Sequence, residues 1–289
     1  MKALALLAVV AVLVGCRRDD ASDPATESST PPPTATLTDT AAVLPDTFDG
    51  YVDRGARILF VGAHPDDETL AGPMLAYACA TRGSACHIAL FTRGEGGTCA
   101  LDDCDDLGAI RQAEAEAAAA AYGATLSIGQ FPNHTGDQLD LMDFGAVDEA
   151  WRAHDSPNAW LREVVEDFGP ELIVTLDHIH GFTGHLEHQV AGLAAYRVAT
   201  NQEIPAMWVL NHYEAFEPFI GEDVMQPTEE WDVARDCGGV TCRDATVAAA
   251  EHHASQTGSI LTLVLSTPDL FDVSYLRVEA APALMSDEP

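Results

Sequence analysis

The chain has almost no lysine. Among its 289 residues the only one is Lys2, and 14 Lys and Arg face 46 Asp and Glu, for a formal charge of −32. A surface so short of cations cannot neutralise phosphates, which argues against a nucleic-acid partner and disfavours anionic lipid headgroups, while the charge promotes solubility. Long hydrophobic runs are missing as well. The apolar run over 3–14 falls well short of the ~20 residues that a membrane-spanning helix needs. No internal repeat is visible. Arg93-Gly94-Glu95-Gly96-Gly97-Thr98 is glycine-rich but does not complete a dinucleotide-binding fingerprint, and read alone it is a turn.

The first 50 residues read as a leader and a tether. Lys2 followed by the apolar run has the layout of a secretory signal. Leu13-Val14-Gly15-Cys16 is similar to a bacterial lipobox, so cleavage before Cys16 and lipidation of its thiol are expected. That predicts an exported protein anchored to a bacterial membrane through Cys16, facing the periplasm or the exterior. Residues 16–50 are rich in Ser, Thr, Pro and Asp, with Pro31-Pro32-Pro33 among them; such a composition buries no core and predicts a disordered tether. Residues 51–289 have the length of one large domain. Six cysteines remain, in three locally spaced pairs, wider apart than the Cys-x-x-Cys of zinc clusters. In an exported protein these predict the disulfides Cys79–Cys86, Cys99–Cys104 and Cys237–Cys242.

Within the domain, strands alternate with helices. A continuous apolar run with no helical period predicts a strand at 58–63, buried on both faces, and further strands are expected at 87–92, 124–128, 172–176 and 206–210. Helices are expected over 69–80, 110–122, 189–199 and 243–254, and over part of 148–168, where Pro157 must break or begin a segment. The alternation predicts an α/β fold with a mainly parallel sheet and helices on both faces. Two later runs, 260–266 and 273–278, read as strands added antiparallel to that sheet.

The stretch that organises the rest is Arg57-Ile-Leu-Phe-Val-Gly-Ala-His64-Pro65-Asp66-Asp67-Glu68. Pro65 keeps His64 extended, at the carboxyl end of the first strand. Acidic residues then open the helix, where amide dipoles favour negative charge. Asp-Asp-Glu alone is an ordinary first turn; an imidazole beside it at a strand end is how α/β proteins build metal sites. His185 and His188, three apart at another helix start, can face one site. Catalytic zinc sites have three protein ligands and an open position. His64, one of Asp66 and Asp67, and one of His185 and His188 would supply them, leaving the other aspartate as general base. His178 and His180 read as loop or supporting residues, and His87, His154 and His212 as structural or exposed; His134 and His252 have no assignable role.

At Ala63-His64-Pro65-Asp66-Asp67-Glu68 the chain resembles the LmbE/PIG-L-like N-acetylglucosaminyl deacetylases, zinc enzymes with a Rossmann-like three-layer fold. Thr92 to Gly97, Arg111 with Glu114, and His253-Ala254-Ser255-Gln256 are similar to further motifs of that family. The resemblance implies Zn²⁺ held by His64, Asp67 and His188, Asp66 as general base, His185 stabilising the oxyanion, and Arg93, Glu95 and His253 at the substrate. The substrate implied is an N-acetylated amino sugar or glycoconjugate. Two departures stand out: His185-Leu186-Glu187-His188 replaces His-Pro-Asp-His, and Asn133 stands where the family often has an acidic residue. The competing expectations are an amidase acting on another amide, such as a thiol conjugate, and a non-catalytic sugar-binding surface lipoprotein. Retention of both Asp66 and His185 opposes the latter, since binding alone needs no base.

Overall fold

The computed structural model describes residues 47–211, 225–257 and 273–279. The expected leader, the Cys16 anchor, nearly all of the tether, His212 and the predicted strand at 260–266 lie outside these residues.

Five parallel strands form the centre of a seven-stranded sheet: β1 (Ile58–Gly62), β2 (Cys86–Leu90), β3 (Thr125–Ile128), β4 (Leu172–Leu176) and β5 (Ala206–Leu210). Their order is β3-β2-β1-β4-β5, and β7 (Val273–Glu279) and β6 (Glu229–Asp232) extend the β5 edge in antiparallel pairing. Every residue of β1, β2, β4 and β5 is buried, which is why these strands read as unbroken apolar runs. Successive side chains leave a strand on opposite faces. Ile58 and Phe60 therefore enter one core, and Leu59 and Val61 the other. The first core is covered by α1 (Phe48–Asp53), α2 (Gly72–Leu75), α3 (Leu107–Tyr122) and α9 (Cys242–Ala250). The second lies under α5 (Phe144–His154), α6 (Pro157–Phe168) and α8 (Leu186–Asn201). Two single turns, α4 (Gly136–Leu139) and α7 (Gly181–Gly184), lie in loops.

The three layers match the expected α/β architecture, and the strand order creates the site. β2 lies on one side of β1 and β4 on the other. The chain leaves β1 and β4 towards opposite faces, so a crevice opens beyond their carboxyl ends.

Three local differences from the sequence reading have physical causes. The tether ends sooner than expected: Thr47 caps α1, and Phe48 and Tyr51 are buried, Phe48 edge-on to Trp231 at 6.0 Å. The strand β6 carries one buried apolar residue, Trp231, too little to set a period. The helix expected at 69–80 is instead a 3₁₀ segment (Asp67–Ala71), the α turn α2 and a π segment (Ala76–Thr81). As expected, the segment 148–168 divides at Pro157 into α5 and α6, with Ser156 as N-cap and Pro157 in the first turn, where its missing N–H costs nothing. The three expected disulfides are present, with Cα separations of 5.8, 6.5 and 4.8 Å.

Candidate metal centre and pocket

His64 stands two residues beyond β1, and Asp67 opens the 3₁₀ segment that follows. Asp67 Oδ2 accepts the backbone N–H groups of Ala63 (2.7 Å) and His64 (3.0 Å), folding the carboxylate back over the strand end. A side chain at Gly62 would meet Asp67, its Cβ lying 2.9 Å from that of Asp67. The other oxygen, Oδ1, lies 3.0 Å from His188 Nε2 and 3.7 Å from His64 Nδ1, and those two nitrogens are 3.2 Å apart. Tetrahedral zinc with bonds of ~2.0–2.1 Å needs donor atoms about 3.3 Å apart. These three atoms stand at that spacing.

Both imidazoles have their tautomer set from behind. His64 Nε2 lies 2.5 Å from Glu187 Oε2, and an ionised carboxylate can only accept, so Nε2 carries the proton and Nδ1 turns its lone pair to the triangle. His188 Nδ1 donates to the carbonyl of Gly181 (2.8 Å), leaving Nε2 to face inwards. A ligand histidine held through its second nitrogen is the usual arrangement around a bound metal. Two lone pairs and a carboxylate oxygen facing one another call for positive charge between them. Burial opposes protonating His64, yet the hydrogen bonds and charges of Asp67 and Glu187 prevail and raise it to about 10. Burial likewise resists ionising Asp67, but His188 and His64 hold it well below the usual carboxylate range.

His185 completes the wall. Its ring is 4.9 Å from that of His64 and 4.6 Å from that of His188, and one nitrogen from each of the three histidines fits within a 4.8 Å cluster. Its Nδ1 is buried without a partner. Burial, then the neighbouring imidazoles, push it well below 6.5, so at neutral pH it is an uncharged hydrogen-bonding group. The loop carrying these residues is shaped by Asp177, whose carboxylate accepts the backbone N–H groups of Ile179, His180 and Phe182. His178 stacks on Tyr196 instead of joining the cluster.

Asp66 sits beside the triangle in a left-handed conformation, φ +104°, which a residue other than glycine adopts only when its surroundings enforce it. Arg111 does so from above, through Asp66 Oδ1 (3.1 Å) and the carbonyl of Pro65. Glu68 does so from below, accepting the Asp66 N–H at 3.0 Å. Burial raises the Asp66 carboxyl above its ordinary value against the pull of Arg111, with Asp67 and Glu68 adding to the rise. A base moved towards neutral pH suits proton transfer.

These groups open on a cavity of about 390 Å³ whose wall includes His64, Asp66, Asp67, Arg111, His185 and His188. The other three residues read as substrate contacts are placed elsewhere. Arg93 and Glu95 pack near Gly108 at the start of α3, and neither lines the cavity. His253 is fully buried and pairs with Glu68, so it stands behind Asp66 instead of facing a substrate. Glu187 is the residue of the site that sequence reading registered only as a departure. It is fully buried and accepts from His64, from Asn133 Nδ2 (2.6 Å), and from the backbone N and ring Nδ1 of His134 (2.9 and 2.8 Å). The two departures thus meet in one contact, the Asn133 amide donating to the Glu187 carboxylate.

A doubly wound α/β sheet with a His–Asp–His donor triangle and a poised carboxylate at its switch point defines a class of metal-site proteins on a Rossmann-like scaffold. A family profile described as "PIG-L: GlcNAc-PI de-N-acetylase" matches residues 59–199, and this stretch, just under half of the chain, is a PIG-L, LmbE-like family domain. It is 34% identical over 169 residues to a 1D-myo-inositol 2-acetamido-2-deoxy-alpha-D-glucopyranoside deacetylase from Mycobacterium sp. (strain KMS), a match covering 53% of this chain and 51% of that protein. The chain spans about half the length of the curated relatives it matches. Among solved structures, the N,N'-diacetylchitobiose deacetylase of Pyrococcus horikoshii superposes with a TM-score of 0.55 at 14% identity, covering 80% of this chain and 86% of that one. The 4-carboxy-2-hydroxymuconate hydratase of Pseudomonas putida KT2440 gives 0.52 at 18% identity, covering 81% and 100%. At such identities the likeness is one of fold, and the fold alone does not set the reaction.

Proposed function

We propose that this protein is a zinc-dependent hydrolase that removes the N-acetyl group from an amino sugar or glycoconjugate. The observation that carries the reading is the triangle of Asp67 Oδ1, His64 Nδ1 and His188 Nε2, with both imidazole tautomers set from behind. Those three residues would hold the metal, and His185 would remain in the wall. When bound, zinc polarises a carbonyl and lowers the pKa of water. Asp66 takes the proton of the attacking water as the acetyl carbonyl becomes tetrahedral. His185, uncharged, donates an N–H to the oxygen on which charge develops. Asp66 then returns its proton to the departing amine, and its raised pKa serves both transfers. Arg111 keeps the Asp66 carboxylate aimed while that proton comes and goes. The relatives' printed substrates support the acetamido sugar as the group cleaved.

The test is acetate release from a panel of N-acetylated sugars, polysaccharides and thiol glycosides, with and without a chelator. Acetate from the sugars, abolished by chelation and restored by zinc, is the expected result. Cleavage confined to other amides would make the protein a different amidase, and no cleavage with intact metal binding would leave a sugar-binding protein.

A further inference from the structure

We propose that His134 reads a hydroxyl of the sugar, making it a specificity-determining contact of the pocket; this rests on the amino-sugar reading above. His134 lines the cavity and follows β3 on a short loop. It is held at two points by one oxygen of Glu187, through its backbone N (2.9 Å) and its ring Nδ1 (2.8 Å). Its backbone is clamped on the far side too. A Cβ on Gly96 would lie 2.8 Å from its carbonyl oxygen, so only glycine lets the 94–97 turn close on it, and Gly96 N–H donates to Asn133 Oδ1 (2.7 Å).

The carboxylate accepts and never donates, so Nδ1 carries the proton and the tautomer is set. The remaining ring nitrogen, Nε2, has no partner among the described residues. An imidazole fixed in rotation and tautomer, with one nitrogen left over in a cavity wall, is a preorganised hydrogen-bonding group. The same Glu187 holds His64, so His134 stands one carboxylate away from the metal triangle. A group at that remove from the reacting acetamide meets the ring that carries it, and the groups on such a ring are hydroxyls. Neutral imidazole nitrogen accepts an O–H, which fits that chemistry.

Two variants separate reading from scaffolding. In His134→Asn the side-chain amide can reach Glu187 as Nδ1 does, but nothing stands where Nε2 stood. In His134→Gln the amide reaches towards the Nε2 position instead. KM and kcat are measured for the N-acetylated sugar and for analogues each lacking one hydroxyl, with zinc content followed in parallel. For His134→Asn we expect KM to rise roughly tenfold with zinc content held, the loss of one neutral hydrogen bond. The rise should vanish for the one analogue without the contacted hydroxyl, and His134→Gln should recover part of it. A loss equal across all analogues, or zinc lost from His134→Asn, overturns the proposal and leaves His134 as a prop for Glu187. If no acetate is released, calorimetric binding of the same sugars to zinc-loaded protein carries the comparison. The hydrolase reading then fails while this contact stands or falls on the Kd ratios, and absence of any sugar binding overturns both.

Discussion

At the scale of single residues, adjacent side chains divide the work because the backbone turns between them. Asp66 at φ +104° points to Arg111 and the cavity, and Asp67, one residue on, folds back over the strand end to face His188. Loss of a ligand and loss of a base should therefore look different. Asp67→Ala and His188→Ala should each lose bound zinc together with activity. Asp66→Asn preserves shape but accepts no proton, so zinc should remain while the rate falls by ~10²–10⁴. Metal analysis of the purified variants beside their rates decides it: equal zinc loss in both aspartate variants would make Asp66 a ligand. Glu187 carries a second expectation. Its carboxylate is resisted by burial, yet hydrogen bonding to His64 and His134 brings it down to about 2, so it is ionised throughout the working range. Glu187→Gln turns an acceptor into a partial donor facing His64, Asn133 and His134. Zinc affinity should weaken by ~10–100-fold, read by competition with a chromophoric chelator. Unchanged affinity would mean that the tautomer of His64 is set by something else.

Among the elements, the short ones made by local chemistry lie where the chain must turn sharply into the crevice. The stretch from Asp67 to Thr81 passes through 3₁₀, α and π turns in fifteen residues, and its narrow start lets Asp67 reach back to the amides of Ala63 and His64. No periodicity in the sequence announces this, because apolar spacing reports which face is buried, not how tightly the backbone is wound. Pro157 and Gly169 mark the ends of α6 in the sequence itself, since one lacks an N–H and the other accepts φ > 0. A further prediction belongs to the join between β1 and β4. Glu171 accepts the Arg57 N–H (3.0 Å) and Arg54 Nη1 (2.7 Å), and the Arg57 amide above all lowers its pKa below 4.5. The folded pKa lies below the unfolded one, so the stabilisation is present above ~4.5 and is lost as pH falls through the lowered value. Glu171→Gln should lower Tm slightly at pH 7, by no more than ~2 °C because the pair is exposed, and the gap should close in acid once the pH is below the lowered pKa. A gap that persists in acid would show that the carboxylate charge is not its source.

On the scale of the whole molecule, two of the three short disulfides, Cys79–Cys86 and Cys237–Cys242, are buried in the first core, while the cavity wall contains no cysteine. The three close loops with sequence separations of 7, 5 and 5, where loop-closure entropy supplies ~2–3 kcal/mol each. Reduction should drop the melting temperature by about 5 °C or more and leave zinc content and rate intact; an unchanged melting curve would remove their stabilising role. The anchor is tested in a bacterial host with the full chain. Cys16→Ser should shift the protein from the membrane fraction to the soluble one, or block its processing, and wild-type protein found wholly soluble and unlipidated would refute the lipobox assignment. What the sequence determined by itself was whatever depends on neighbours in the chain. The buried strands were legible as apolar runs, the disulfides as close cysteine pairs, and His64, Asp66 and Asp67 as one turn at a strand end. Residues 59–199 also carried all but the last of the motifs that resemble the family's. Only the tertiary structure decided what depends on residues far apart in sequence. His64 and His188 are 124 positions apart and meet because β1 and β4 are neighbours. Glu187 and Asn133 are 54 apart, and each looked like an isolated departure until the fold put one carboxylate against two histidines and an amide. His253 read as a substrate contact and is buried behind Glu68, because a motif records which residues recur together and burial is set by what packs over them.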